Sequence, residues 1–275
     1  QKGTATITAV CGNETAVCEV SVREAKELQE DEPLLHWCGD LHAHTTNIHS
    51  KDAFRAREEE FPEDMVTQVR EEGIFDFQII SDHAGLPDLA ELYDIYRTSE
   101  ACANGDFVIL PGAEAEVDID STDDYGFPQR SSGEVLSINM EGLCVTKSWE
   151  DFIEGINPSS FTIAGLAHPQ IVGYSKYCMW GFRLAEQTIP GMKEILHFVE
   201  IGNGKDRQAN LINERVYSTA LDCGYVIAPS CGSDSHGPVW GASFMPGRTI
   251  ILAPEKSKER FLDAIKHARM YATEN

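Results

Sequence analysis

The chain has 275 residues, 42% of them hydrophobic, and a formal charge of −23. That length can bury a full core as one large domain or two smaller ones. So acidic a composition argues against a nucleic-acid polymer as partner, because binding phosphate backbones normally needs a basic surface, and no run of roughly 18 consecutive apolar residues occurs, so no transmembrane segment is expected. A small-molecule substrate reaching a locally cationic site stays compatible with an acidic exterior.

The first predicted element is a hairpin. Residues 3–10 (GTATITAV) and 15–22 (TAVCEVSV) alternate around a Gly12-Asn13-Glu14 turn, the pattern of two paired strands. Two strands alone are not stable in water. These residues resemble the last two strands of a bacterial immunoglobulin-like domain of the second group. The resemblance implies a larger modular protein, secreted or at the cell surface. The expected organisation is a truncated immunoglobulin-like end at 1–23, a charged linker at 24–33 and one catalytic domain at 34–275. The eight cysteines show no C-x-x-C spacing, which argues against a structural zinc knuckle. They read as free thiols packed as small hydrophobes, although Cys11 and Cys18 flank the hairpin turn and could pair.

From residue 34 onward strands and helices alternate. Strands are expected at 34–42, 75–81, 107–114, 161–167, 195–201, 226–230 and 249–252. Helices are expected at 64–72, 89–102, 148–156, 207–223 and 257–268. Ser148 and Asp151 have capping-box spacing, with Asp in place of the usual Glu or Gln. The alternation implies a parallel sheet or barrel, where chemistry gathers beyond the carboxyl ends of the strands. Polar residues gather there in this chain. His42 and His44 end the first of these strands, Asp82 and His83 the second, Glu114 the third and His168 the fourth. Glu200 lies near the end of the fifth, and Asp234 and His236 follow the sixth. Side chains alternate along a strand, so His42 and His44 point the same way. Asp234 and His236 repeat that spacing, and two such pairs at converging strand ends suit shared metal ions.

Five motifs in order carry a family resemblance: D-L-H-A-H-T at 40–45, S-D-H at 81–83, P-G-A-E at 111–114, A-H-P at 167–169 and G-S-D-S-H at 232–236. Residues 34–272 thereby resemble the polymerase and histidinol phosphatase (PHP) superfamily. The G-D-L-H at 39–42 and R-M-Y-A-T at 269–273 further resemble a branch related to carbaryl hydrolase, whose members often carry additional β-domains. The resemblance implies an α/β fold, a distorted (β/α)7 barrel preceded by a short hairpin remnant. It also implies a hydrolase with two or three divalent ions, manganese, iron or zinc.

By the same resemblance His42, His44, Glu114 and Asp234 hold a first metal, and His49, His83 and His236 a second, with Glu114 able to bridge. His168 is a candidate for a third ion, and Glu200 either joins it or orients a ligand. Many members carry Asp where this chain has His49, and imidazole there shifts preference from magnesium toward zinc or iron. His36, His197 and His267 match no motif and read as packed or solvated.

Close divalent ions generate hydroxide from water at neutral pH and polarise the scissile bond, so no Ser or Cys nucleophile is needed. Proton transfer falls to Asp234 or a nearby histidine, His168 or His236. Arg55, Arg57, Arg130, Arg183, Lys205 and Arg207 are candidate phosphate contacts, each also readable as a surface charge. Tyr174, Tyr177, Trp180 and Trp240 suit either an apolar wall or the core. Three functions stay open: a phosphoesterase on a small mono- or diester, a hydrolase of a carboxylic ester, amide or carbamate, and a non-catalytic metal-containing binding module. A complete ligand set with open positions speaks against the third.

Overall fold

The computed structural model describes residues 3–12, 14–22, 32–45, 62–73, 75–83, 89–103, 105–122, 128–138, 151–153, 162–169, 191–204, 207–236, 240 and 247–274. They belong to two compact units, Gln1–Pro33 and Leu34–Asn275. In the first, β1 (Gly3–Cys11) pairs antiparallel with β2 (Glu14–Val22), turning at Gly12 with φ of 61°. Ile7, Val10 and Val17 are exposed on it. The register sets Cys18 opposite Ile7 and Cys11 opposite Glu14. The two cysteines are thus four positions apart along the ladder, roughly 13 Å, too far for a disulfide. Cys231 is buried, and Cys38, Cys102 and Cys223 are half-buried free thiols.

The second unit is a nine-stranded mixed sheet in the order β11-β10-β3-β4-β5-β6-β7-β8-β9. The strands are β3 (Leu35–Asp40), β4 (Phe77–Ile80), β5 (Val108–Thr122), β6 (Pro128–Ile138), β7 (Ile163–Leu166), β8 (Leu196–Asn203), β9 (Ala228–Gly232), β10 (Arg248–Ala253) and β11 (Met270–Thr273). β3, β4 and β5 run parallel, as do β7, β8 and β9. The sheet curls until its far edges nearly meet: Cys231 N donates to Thr249 Oγ1 at 2.9 Å, and that hydroxyl donates back to Cys231 O at 2.7 Å. The result is a nearly closed, barrel-like sheet.

Three features depart from the expected alternation. β5 continues past Glu114 and returns as β6, a long antiparallel hairpin where the sequence reading assigns no strand. β10 runs antiparallel to β3, and β11 follows it as an edge strand. Strand direction and hairpin pairing depend on distant partners, which local pattern does not encode.

The parallel strands are apolar on both faces because both are covered. Phe77, Ile79, Leu110, Ile163, Phe198 and Ile251 share one cluster. On the other face of β4 and β5, Ile80 and Ile109 pack with Met65, Val66, Val69 and Ile95, from α1 (Pro62–Glu72) and α2 (Leu89–Cys102). Leu166 and Val199 pack with Met192, Val216 and Ala220, from α3 (Met192–Ile195) and α4 (Arg207–Asp222). Residues 151–153 are helical, and Ser148 lies outside the described residues. α5 (Lys258–Lys266) brings Phe261 against Phe77 and Trp37, at the starts of β4 and β3. The opposite ends of the parallel strands stay available for chemistry. No helix among the described residues is long and apolar enough to cross a membrane.

Ser257 caps α5, its hydroxyl accepting from Arg260 N at 3.4 Å. Ser257→Ala therefore costs about 1 kcal/mol of stability, read as a small fall in Tm with metal affinity unchanged. A neutral substitution would mean that the bond contributes nothing.

Candidate metal centre

Beyond Asp40 the chain leaves β10 and pairs with the segment after β9. Asp234 N donates to His42 O at 2.8 Å and His44 N to Ser235 O at 3.0 Å, a parallel bridge centred on Ala43 and Ser235. His83 bridges to Glu114 in the same way one strand along. Backbone pairing thus extends the sheet by a few residues, and these residues carry the candidate ligands.

Glu114 sits at the centre, fully buried. Its Oε1 lies 3.3 Å from His42 Nε2 and 3.1 Å from His168 Nε2. Its Oε2 lies 3.4 Å from His44 Nε2 and 3.1 Å from His83 Nδ1. Asp234 Oδ1 stands 3.2 Å from His44 Nε2 and 3.5 Å from both His42 Nε2 and His236 Nδ1. The His44 ring stacks on that of His236 with centroids 4.2 Å apart. His236 Nδ1 is 2.9 Å from Asp234 O, which leaves Nε2 as its outward nitrogen. Eight of the nine proposed ligands meet here; His49 lies outside the described residues.

The chemistry of this donor set fits divalent ions. Glu114 Oε2 and Asp234 Oδ1 are buried and take part in no hydrogen bond, although imidazole nitrogens crowd both. The Nε2 atoms of His42 and His44 approach to 3.2 Å. Lone pairs directed at one another across such gaps make sense around a shared cation. Four groups, each offering one donor atom per residue within 4.8 Å of the others, satisfy the requirement: His44-His83-His236, His42-His44-Glu114, His42-His168-Glu200 and His83-Glu114-Glu134.

Glu134 is the residue that sequence reasoning missed. It projects from β6 with Oε2 3.4 Å from His168 Nε2 and Oε1 4.0 Å from His83 Nδ1. No motif contains it; the only sequence signal is the Val135-Leu136-Ser137-Ile138 run that follows. Glu200, by contrast, is already engaged as an acceptor. Its Oε1 and Oε2 each lie 3.1 Å from His42 Nδ1, and Oε2 accepts from His168 N at 2.7 Å and Asn203 Nδ2 at 3.2 Å. The same Asn203 amide donates to Asp234 Oδ2 at 3.2 Å. This geometry orients His42 and His168.

Asp82, also at a strand end, accepts from Thr45 Oγ1 at 2.7 Å. Trp240 is core, its Nε1 donating to His44 O at 2.8 Å. His36 and His267 are exposed and His197 is half-buried; none belongs to the metal-capable groups. Arg55, Arg57, Tyr174, Tyr177, Trp180, Arg183 and Lys205 lie outside the described residues, as do the side chains of Arg130 and Arg207.

Two of the three non-glycine residues with positive φ, among those described, are His168 at 21° and Asp234 at 50°. Such backbone strain persists where surrounding contacts over-determine it, and it concentrates at functional sites.

Charge coupling is strong. Burial would push His42 down, but Glu200, Glu114 and Asp234 outweigh it and hold the imidazole well above its ordinary range. Burial would raise Glu114 and Asp234, yet the imidazoles around them hold both carboxyls low, Glu114 chiefly through His42 and His168. Glu134 goes the other way: burial first, then the Glu114 carboxylate, push it up to about 7.

A prediction follows for the metal-free protein. A carboxyl raised on folding contributes fully at pH below its unfolded value, 4.5 for Glu134, and that contribution is lost as pH rises through about 7. The raised His42 acts in the same direction at higher pH, from about 6.5 upward. Tm in EDTA should therefore fall from pH 5 to pH 8, and Glu134→Gln should remove up to about 3 kcal/mol of that dependence. An identical fall in both proteins would place the raised group elsewhere.

A scan against protein-family models finds no match for this sequence, and a search of curated proteins finds none. Among solved structures, the chain is similar to a two-domain protein from Bacteroides vulgatus ATCC 8482 described as containing a predicted PHP-like metal-dependent phosphoesterase. The TM-score is 0.57 at 15% identity, over 92% of this chain and 69% of that one. The two share a fold. At that identity the likeness speaks for architecture, and the residues of the centre speak for the chemistry.

Proposed function

We propose that residues 34–275 form a PHP-type metallohydrolase, a phosphoesterase acting on a small phosphomonoester or diester with a metal-activated water. The observation that carries this reading is the convergence of four imidazoles on Glu114, with His236, Asp234 and Glu134 beside them. The predicted phosphoesterase described for the structural neighbour supports the same reaction class. In this reading His42, His44, Glu114 and Asp234 would hold one ion, and His83, His236 and Glu114 a second, with His49 as the further ligand the family resemblance implies. Glu134 and His168, with Oε2 and Nε2 3.4 Å apart, would suit a third. Divalent ions held there would supply a nucleophilic hydroxide at neutral pH and polarise the scissile oxygen.

The chain's own residues do the rest. Glu200 holds Nδ1 of His42 and so turns Nε2 inward. Asn203 fixes Oδ2 of Asp234, leaving Oδ1 toward the imidazoles. His236, with 16% of its side chain exposed, and Asp234, with 20%, are both placed to exchange a proton with solvent, while His168, at 4%, lies deeper. Manganese, iron and zinc all suit this N/O donor set. The resemblances to a carbaryl-hydrolase branch and, at 1–22, to an immunoglobulin-like end make a secreted or cell-surface setting part of the proposal.

A second reading, a carboxylic ester, amide or carbamate as substrate, is suggested by the resemblance of residues 39–42 and 269–273 to the carbaryl-hydrolase branch.

Phosphate release from a panel of mono- and diesters separates the two, with the protein loaded with manganese, zinc or iron and a phosphatase added downstream for the diesters. Release that vanishes in the His83→Ala/His236→Ala double variant supports the phosphoesterase. Metal-loaded protein releasing no phosphate but cleaving a carboxylic ester, amide or carbamate supports the alternative.

A further inference from the structure

Asp40 is outside every metal-capable group, yet it touches both arms of the centre. It ends β3 with 1% of its surface exposed. One carboxylate oxygen, Oδ1, accepts from His42 N at 2.9 Å and from Ser233 N at 3.1 Å. The first amide belongs to a candidate ligand, and the second to the residue before another, Asp234.

The position of these bonds matters because the strand changes neighbours there. The last pair between β3 and β10 is Gly39 with Thr249. From His42 the chain pairs with 234–235 instead, through Asp234 N to His42 O and His44 N to Ser235 O. Asp40 stands at the switch, where neither ladder supplies a partner for these two amides. Ser233 is further tied through its hydroxyl, which accepts from Ser235 N at 3.2 Å. Asp234, with its φ of 50°, is thus held on both sides in a conformation that few side chains adopt unaided.

We propose that Asp40 is a positioning residue that sets the register of His42 and His44 against Asp234 and His236. It acts by gathering the amides of His42 and Ser233 onto one oxygen at the seam of the barrel. The role rests on the metallohydrolase reading. An oxygen acceptor of this reach is required, so the amide oxygen of Asn serves and a methyl group does not.

The test uses the full chain loaded with cobalt(II), comparing wild type, Asp40→Ala and Asp40→Asn. Affinity is measured by competition with a chelator and ligand geometry by the visible absorption of the ion, with Tm in EDTA showing that each variant folds. Asp40→Ala should bind the ion about 10–100-fold more weakly and with an altered spectrum. Asp40→Asn should stay within about threefold of wild type and keep its spectrum. If the Ala variant does not fold, Asp40→Ser takes its place, since a hydroxyl on a shorter stem reaches at most one of the two amides; an intermediate loss is then expected. A folded Ala or Ser variant with wild-type affinity and spectrum would overturn the role. So would an Asn variant as impaired as Ala, because the charge would then matter rather than the paired bonds. Wild-type protein that takes up no metal would overturn the metallohydrolase reading itself, and this role with it.

Discussion

Glu114→Gln should lower turnover by about 10³-fold or more and strip at least one equivalent of metal from the purified protein. The side chain is fully buried with four imidazole nitrogens between 3.1 and 3.4 Å from its oxygens. Gln keeps the volume and the hydrogen-bonding reach, so the barrel still folds. It loses the negative charge that two cations would share, and its NH2 turns donors toward nitrogens that must present lone pairs. Metal content by mass spectrometry and the rate on the best ester of the panel report the two losses separately. A variant keeping its full metal complement and a rate within about tenfold of wild type would remove Glu114 from the centre.

Gly232→Ala should be nearly as damaging, through packing. A Cβ at this position would lie 2.3 Å from His42 Cβ, 2.7 Å from Glu200 Oε1 and 2.9 Å from His42 N. None of these atoms yields cheaply. The backbone and Cβ of His42 belong to the barrel wall, and Glu200 is held by His42, His168 and Asn203. The added methyl must separate β9 from the segment carrying His42. The expected cost is about 3 kcal/mol or more, with metal affinity falling in parallel because both ligand arms shift. A variant with wild-type Tm and affinity would show that the seam tolerates expansion.

Much of the scaffold is legible in the sequence, for physical reasons. β4 is Phe-Gln-Ile-Ile, buried at every position, and such runs between amphipathic helices announce a covered sheet. The polar residues at the ends of these runs were conspicuous because nothing in the core could use them. β6 was invisible for the converse reason. Its first half is Pro128-Gln129-Arg130-Ser131-Ser132-Gly133, turn-like by composition, and only pairing with β5 makes it a strand. Glu134 was lost with it. The orientation of Glu200, with its oxygens on His42 Nδ1 and the amide of His168, depends on three separate strand ends meeting. Sequence left ligand and orienter open at that residue, and the hydrogen bonds favour the orienter.

The central claim is that these strand ends hold divalent ions around Glu114. Anomalous diffraction from crystals loaded with manganese or zinc tests it most directly. The account predicts at least two peaks, one among His42, His44, Glu114 and Asp234 and one among His83, His236 and Glu114, at ordinary ligand distances of about 2.0–2.3 Å. Crystals soaked to saturation that show no anomalous peak within this cluster would contradict it.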